Sequence, residues 1–276
     1  MGSHKRRPLV RYHGAKWKIA KWVISHFPPH VAYVEPFGGG ASVLLQKDRS
    51  KGEVYNDLDE TMVALFRVLR DPAAAERLIF LIERTPYSRA EFDAAYEPVD
   101  DPVEAARRTI VRSFMGYGSD GTADEYKTGF RATVSNAAKF PAAEWASYPD
   151  ALRLTVERMK GVVLHQRDAF ELIPTLDREH TLFYIDPPYH PETRSQGNRR
   201  RGQGYHVYKH ELEINDHIRL LDLMLTLKGM VVLSGYPIPY TTRRCPAGSA
   251  SNALRMPTAG DRAQNASGSI RRHKKN

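Results

Sequence analysis

The run from Val31 to Glu35, "VAYVE", is β-rich and stops at "PFGGG", after which "ASVLLQK" restarts with helical character. A second run, "EVYND", ends in acids and leads into "DETMVALFRVLRD", with Pro72 just beyond it. Strand, glycine turn, helix, strand, helix is an order that one architecture accommodates well. It predicts an α/β chain with a doubly wound, mostly parallel, Rossmann-like sheet that binds ligands at the carboxyl ends of its strands. Before the first strand, "KWKIAKWVISHF" spaces Trp17, Ile19, Ala20, Val23, Ile24 and Phe27 as a helix does.

From about Pro72 to Lys160 the alternation stops. "AAAERLIFLIERT", "SRAEFDAAY", "PVEAARRTIVRSFM" and "YPDALRLTVERMKG" read as helices, and "GYGSDGTADEYKTGFRATVSN" as a Gly-rich loop or hairpin. Residues 72–160 are therefore expected to be a helical insertion between two parts, 1–71 and 161–240, of one α/β domain. The second part resumes with "GVVLHQRDAFELI", "TLFYIDPPY", a helix at "HELEINDHIRLLDLMLTLKG" and a strand at "MVVLSGY". Beyond Tyr240, residues 241–276 carry few large apolar groups and no periodicity. They read as a disordered basic tail, unable to offset its ordering entropy by burial, and a shifted reading frame or degenerate end would explain it.

That tail also governs the charge. The chain carries +9 over 276 residues. Eight basic residues and one acid, Asp261, lie between Thr241 and Asn276, so +7 belongs to the tail and only +2 to residues 1–240. A polyanionic partner must therefore be argued from motifs and local patches. A single cysteine, Cys245, excludes a disulfide framework and a cysteine metal cluster. No run approaches the ~20 apolar residues of a membrane span, and "MGSHKRRPLV" lacks the apolar core of a secretory signal. The default expectation is a soluble, cytoplasmic, monomeric protein.

Three constellations carry candidate chemistry. Gly38, Gly39 and Gly40 sit at a strand-to-helix turn, where a backbone can approach a ligand closely and free N–H groups await it. A plain tight turn would look the same. Asp57, at the end of the second strand, stands where nucleoside-binding folds place an acceptor for ribose hydroxyls. Asp57 or Asp59 would equally serve as a helix cap, and capping by Asp59 leaves Asp57 for the ribose. In "FYIDPPY" a strand runs into Asp186, then Pro187 and Pro188, then Tyr189. The prolines end the ladder and stiffen the turn, fixing the carboxylate and nearby carbonyls as acceptors beside a flat ring. Acceptors drawing on both N–H bonds of a planar exocyclic amine favour a pyramidal nitrogen with its lone pair aimed at an electrophile. The alternative is a proline-stopped strand with a surface tyrosine.

With "RYHGAK" upstream, "VEPFGGGASV" at the turn and "YIDPPY" downstream, the chain resembles the Dam-like (D12 class) adenine-N6 DNA methyltransferases from about Pro8 to Tyr240. The departures are small: Tyr12 stands for a Trp, Ala15 for a Gly, and "GGGAS" displaces the usual G-x-G-S. The resemblance implies S-adenosylmethionine as cofactor and double-stranded DNA as partner, with no metal. It implies that Tyr12, Lys16, Glu35, Pro36, Phe37, Gly38, Gly40, Asp57 and Asp168 surround the cofactor. Asp186, Pro187, Pro188 and Tyr189 would then hold the target base, and residues 72–160 would fill the family's DNA-recognition slot.

Within that slot Arg107, Arg108, Arg112, Tyr117, Arg131 and Asn136 flank the hairpin. Arginine and asparagine are suited to bidentate base contacts, and Arg112, Tyr117, Arg131 and Asn136 are the candidate DNA contacts. A solvated face is the competing reading for each arginine taken singly. Arg199, Arg200 and Arg201 could neutralise phosphates, and Tyr205 or Tyr208 could stack on a base. His206, His210 and Glu211 resemble a metal pair but lack a third ligand at useful spacing. The alternatives are methylation of RNA or a protein amide, or a DNA-binding relic that no longer catalyses.

Overall fold

A computed structural model describes residues 6–118, 127–132, 140–189 and 210–235, together with a strand at 253–256. The apolar runs form strands β1 (Ala32–Glu35), β2 (Gly52–Asn56), β3 (Val162–His165), β4 (Thr181–Ile185), β5 (Met230–Ser234) and β6 (Ala253–Met256). They make one six-stranded sheet in the order β3-β2-β1-β4-β5-β6, with every neighbouring pair parallel. The chain winds outward from β1 through β2 to β3, then returns to the other side of β1 with β4. The switch point thus falls between β1 and β4, where a doubly wound sheet opens a crevice beyond its strand ends.

Both faces of the sheet are covered, as a parallel sheet requires. Alternate residues go to opposite sides. Tyr33, Tyr55, Leu182, Tyr184 and Val232 join one core with most of the helices, whereas Val34, Phe183, Ile185, Val231 and Leu233 join a second. The second core is closed by α8 (Ala169–Leu176) and α9 (Ile214–Thr226).

The predicted helices are present as α2 (Glu60–Arg70), α3 (Pro72–Arg84), α4 (Arg89–Ala94), α5 (Pro102–Met115) and α7 (Tyr148–Met159), and a short helix that was not expected, α6 (Pro141–Ala146), precedes α7. α2 to α5 begin with side-chain caps, of which the sequence suggested the first. Asp59 accepts from Thr61 N, Asp71 from Ala74 N, Ser88 from Glu91 N and Asp101 from Val103 N. Residues of α3, α5 and α7 share one continuous core with α2 and the sheet.

A buried ionic group ties these helices to the strand ends. Glu53 Oε1 accepts from Lys47 Nζ at 2.6 Å, and Arg158 of α7 reaches both carboxylate oxygens at 2.6 and 2.9 Å. All three side chains are almost wholly out of water, where removing one partner would strand an uncompensated charge.

Three expectations are corrected. The helix before β1 is only α1 (Ala20–Ile24). The helix expected after the glycine turn is a run of turns from Ser42 to Gln46. Its i→i−4 ladder is interrupted because the Leu44 N–H is taken by the Glu35 carboxylate at 2.7 Å. The tail is not free of strand: Ala253–Met256 pairs in parallel with β5, Ser234 lying opposite Met256. An unpaired β5 edge offers a full row of backbone donors and acceptors, and four residues suffice to use it without the apolar alternation that marks a longer strand.

Candidate active site

At the switch point lies a cleft, open to solvent, lined by the ends of β1, β2 and β4 and by the segment Tyr12–Lys16. The glycine turn forms one wall. Gly39 has φ +46°, and a side chain there would lie 2.8 Å from the Tyr12 ring. At Gly38 a Cβ would stand 2.2 Å from Tyr55 Cε2, and the Tyr55 hydroxyl donates to the Gly39 carbonyl at 2.7 Å. Glycine is required here by close approach as well as by conformation.

The turn is braced from below by polar side chains. Asp57 accepts from Gly39 N at 2.6 Å and from Asp59 N at 2.8 Å. Asn56 donates to the Pro36 and Arg167 carbonyls at 2.8 and 3.0 Å and accepts from Arg167 N at 2.9 Å, stapling the ends of β1, β2 and β3 together. Glu35, 2% exposed, accepts from the Tyr33 hydroxyl at 2.6 Å as well as from Leu44 N. Burial raises the Glu35 carboxyl to about 7 and Asp57 to about 6.

The opposite wall is the turn after β4. Asp186, Pro187 and Pro188 line the same cleft as Gly38, Gly39 and Gly40. Lys16 Nζ lies 2.8 Å from Asp186 Oδ2, donates to the Gly14 carbonyl at 2.7 Å and sits 4.7 Å above the Tyr189 ring. The Tyr189 hydroxyl donates to Asp186 Oδ1 at 3.0 Å. A carboxylate and a stiff proline turn thus face a cradle of bare backbone. Such a pair of walls can hold a planar amine on one side and a nucleoside-like ligand on the other.

Tyr12, Lys16, Glu35, Pro36, Phe37, Gly38, Gly40 and Asp57 all line the cleft, as do Asp186, Pro187 and Pro188. Tyr189 and Asp168 do not line it; Tyr189 is joined to it through its hydrogen bond to Asp186. The neighbours of Asp168, Arg167 and Ala169, reach the cleft, while Asp168 caps α8 by accepting from Phe170 N at 2.6 Å. Sequence reasoning missed Asn56 and the pairing of Lys16 with Asp186. An Asn at the end of a buried strand was the available signal for the first.

The candidate DNA contacts divide. Arg112 is 7% exposed, with Nη1 donating to the Ala95 carbonyl at 2.6 Å and Nη2 to Thr109 Oγ1 at 3.3 Å. Its guanidinium holds α5 to the end of α4 and is not presented to a groove, so its expectation as a DNA contact is corrected. Arg107 and Arg108 pair with Glu104, and Arg107 also with Glu91. Tyr117 is 50% exposed beside the antiparallel bridge between Gly116 and Phe130. Arg131 lies beside it and pairs with Glu144 at 3.0 Å. Asn136, Arg199, Arg200, Arg201, Tyr205, His206 and Tyr208 lie outside the described residues. Among the described residues no three His, Cys, Asp or Glu side chains gather as a metal site, and no helix is long and apolar enough to cross a membrane.

Fold and cleft together define a doubly wound, parallel α/β protein with its ligand crevice between β1 and β4. A family model described as D12 class N6 adenine-specific DNA methyltransferase matches residues 12–241, and the chain belongs to that family. It is 22% identical to the DNA adenine methylase of Escherichia coli (strain K12) over 227 residues, covering 78% of this chain and 74% of that protein. It is also 22% identical to the DNA adenine methylases of Salmonella typhi and Salmonella typhimurium over 200 residues, 68% of this chain. The chain thus spans 66% of the length of the Salmonella proteins.

Proposed function

We propose that the protein transfers the methyl group of S-adenosylmethionine to N6 of adenine in double-stranded DNA. The observation that carries this reading is that Asp186 and its two prolines line the same cleft as the glycine turn. The residues present suit the cofactor. The cleft opens at the carboxyl ends of β1 and β4 with bare glycine backbone along one wall, and Glu35, Asp57 and Asp186 give it an acidic lining suited to ribose hydroxyls and positive charge. Phe37, Gly38, Gly40 and Asp57 would hold the nucleoside part, with Tyr12 packed behind the turn. When bound, S-adenosylmethionine supplies an activated methyl carbon.

The chain's own task is to present the amine. A target adenine must leave the duplex stack to reach the cleft. Asp186 and the carbonyls beside Pro187 accept its two N–H bonds and direct the nitrogen lone pair across the cleft, with Tyr189 against the ring. The proton shed by the alkylated nitrogen passes to the Asp186 carboxylate or to solvent. Residues 72–160 supply DNA recognition, with Tyr117 and Arg131, beside the Gly116–Phe130 bridge, toward the duplex.

The test compares duplex DNA, RNA and protein as acceptors of labelled methyl, using the full chain and Asp186→Ala. DNA is expected to be labelled by the wild type alone, with cofactor affinity of the variant largely retained. Undiminished turnover by Asp186→Ala, or preferential labelling of RNA or protein, would overturn the proposal.

A further inference from the structure

We infer that Ser234, at the carboxyl end of β5, is a positioning residue for the reacting amine. It fixes the Tyr189 phenol and, through it, one oxygen of Asp186. The inference rests on the functional reading above and extends it to a residue outside the cleft.

The sheet brings these groups together. β4 and β5 are parallel neighbours with Ile185 opposite Leu233, so the next residues, Asp186 and Ser234, come level at the same edge. The Tyr189 hydroxyl returns to that edge and stands 3.0 Å from Asp186 Oδ1 and 2.8 Å from Ser234 Oγ. A phenol has one proton, and an ionised carboxylate only accepts. The Tyr189 proton therefore goes to Asp186, and the Ser234 hydroxyl must donate to the Tyr189 oxygen. The result is a one-way chain, Ser234 to Tyr189 to Asp186, in which each hydrogen bond polarises the next.

Ser234 is 4% exposed, so water does not readily replace it. It does not line the cleft, and it acts through Tyr189. The other oxygen of Asp186 is held by Lys16 at 2.8 Å. The carboxylate plane is thereby anchored at both ends, while each oxygen keeps a further lone pair for an incoming amine. The same arrangement fixes the tyrosine ring, which is tethered by its own hydroxyl to two points. Ser234 also lies opposite Met256 in the pairing of β5 with β6, so the edge strand supports the backbone from which this chain begins.

A serine that merely finished a strand would affect stability and leave the partition between binding and turnover alone. The test is a double-mutant cycle on the full chain, with kcat and KM for duplex DNA and Kd for S-adenosylmethionine. Ser234→Ala is expected to lower kcat about 3- to 10-fold, the worth of one neutral hydrogen bond, with cofactor Kd unchanged. Tyr189→Phe should lose at least as much, the double variant no more than Tyr189→Phe alone, and Ser234→Thr should recover most of the loss. Losses that multiply in the double variant would overturn the inference, as would an unchanged kcat or a cofactor Kd that rises in step. Absence of transfer by the wild type would instead remove the functional reading, and this inference with it.

Discussion

Replacing Glu35 by Gln should make the protein more stable at alkaline pH and leave it nearly unchanged in mild acid. The Glu35 carboxyl is 2% exposed and accepts from Tyr33 and Leu44 N. An amide oxygen can accept the same two bonds without carrying charge. Burial lifts this carboxyl from 4.5 to about 7, which at about 1.4 kcal/mol per tenfold in proton affinity is about 3 kcal/mol. The folded chain thus holds its proton more tightly than the unfolded chain between those values. This stabilisation is complete below about pH 4.5 and is lost as pH rises through about 7. Asp57, also raised by burial, contributes to both proteins and drops out of their difference. Urea unfolding at pH 5 and pH 8 reads the effect. Glu35→Gln should match the wild type at pH 5 and exceed it by about 2–3 kcal/mol at pH 8. Parallel pH profiles, or a variant weaker at pH 8, would show that the carboxylate is not held at the expense of its charge.

Two further outcomes follow from packing. Gly38→Ala drives a methyl to 2.2 Å from Tyr55 Cε2, against a ring packed 4.6 Å from Phe66. It should cost about 1–3 kcal/mol in denaturation and weaken S-adenosylmethionine binding measured by calorimetry. Arg112→Met leaves the Ala95 carbonyl without its donor and should destabilise the chain by about 1–3 kcal/mol. The salt dependence of its DNA affinity should stay as in the wild type, since a buried guanidinium neutralises no phosphate.

What was legible in the sequence is what local pattern encodes. The apolar runs ending at Glu35, Asn56, His165, Ile185 and Ser234 declare strands, and the punctuation after them declares turns. Four of the helices of 72–160 follow from the spacing of their apolar residues. What was hidden depends on partners distant in sequence. Nothing near Leu44 announces that its N–H belongs to Glu35. Arg112 reads as a surface cation until α4 and α5 close over it. Asp168 has the composition of a ligand and the position of a cap. Lys16 and Asp186 are separated by most of the chain and meet where the segment Tyr12–Lys16 and the turn after β4 line one cleft. The four residues of β6 are too few and too mixed to show a period of two, and their pairing is set by the open edge of β5.

The most direct measurement supplies the full chain with methyl-labelled S-adenosylmethionine and unmethylated duplex DNA, digests the DNA to nucleosides and locates the label. The account predicts label in N6-methyladenine. Label confined to a methylated cytosine, or found in RNA or protein in place of DNA, would contradict it.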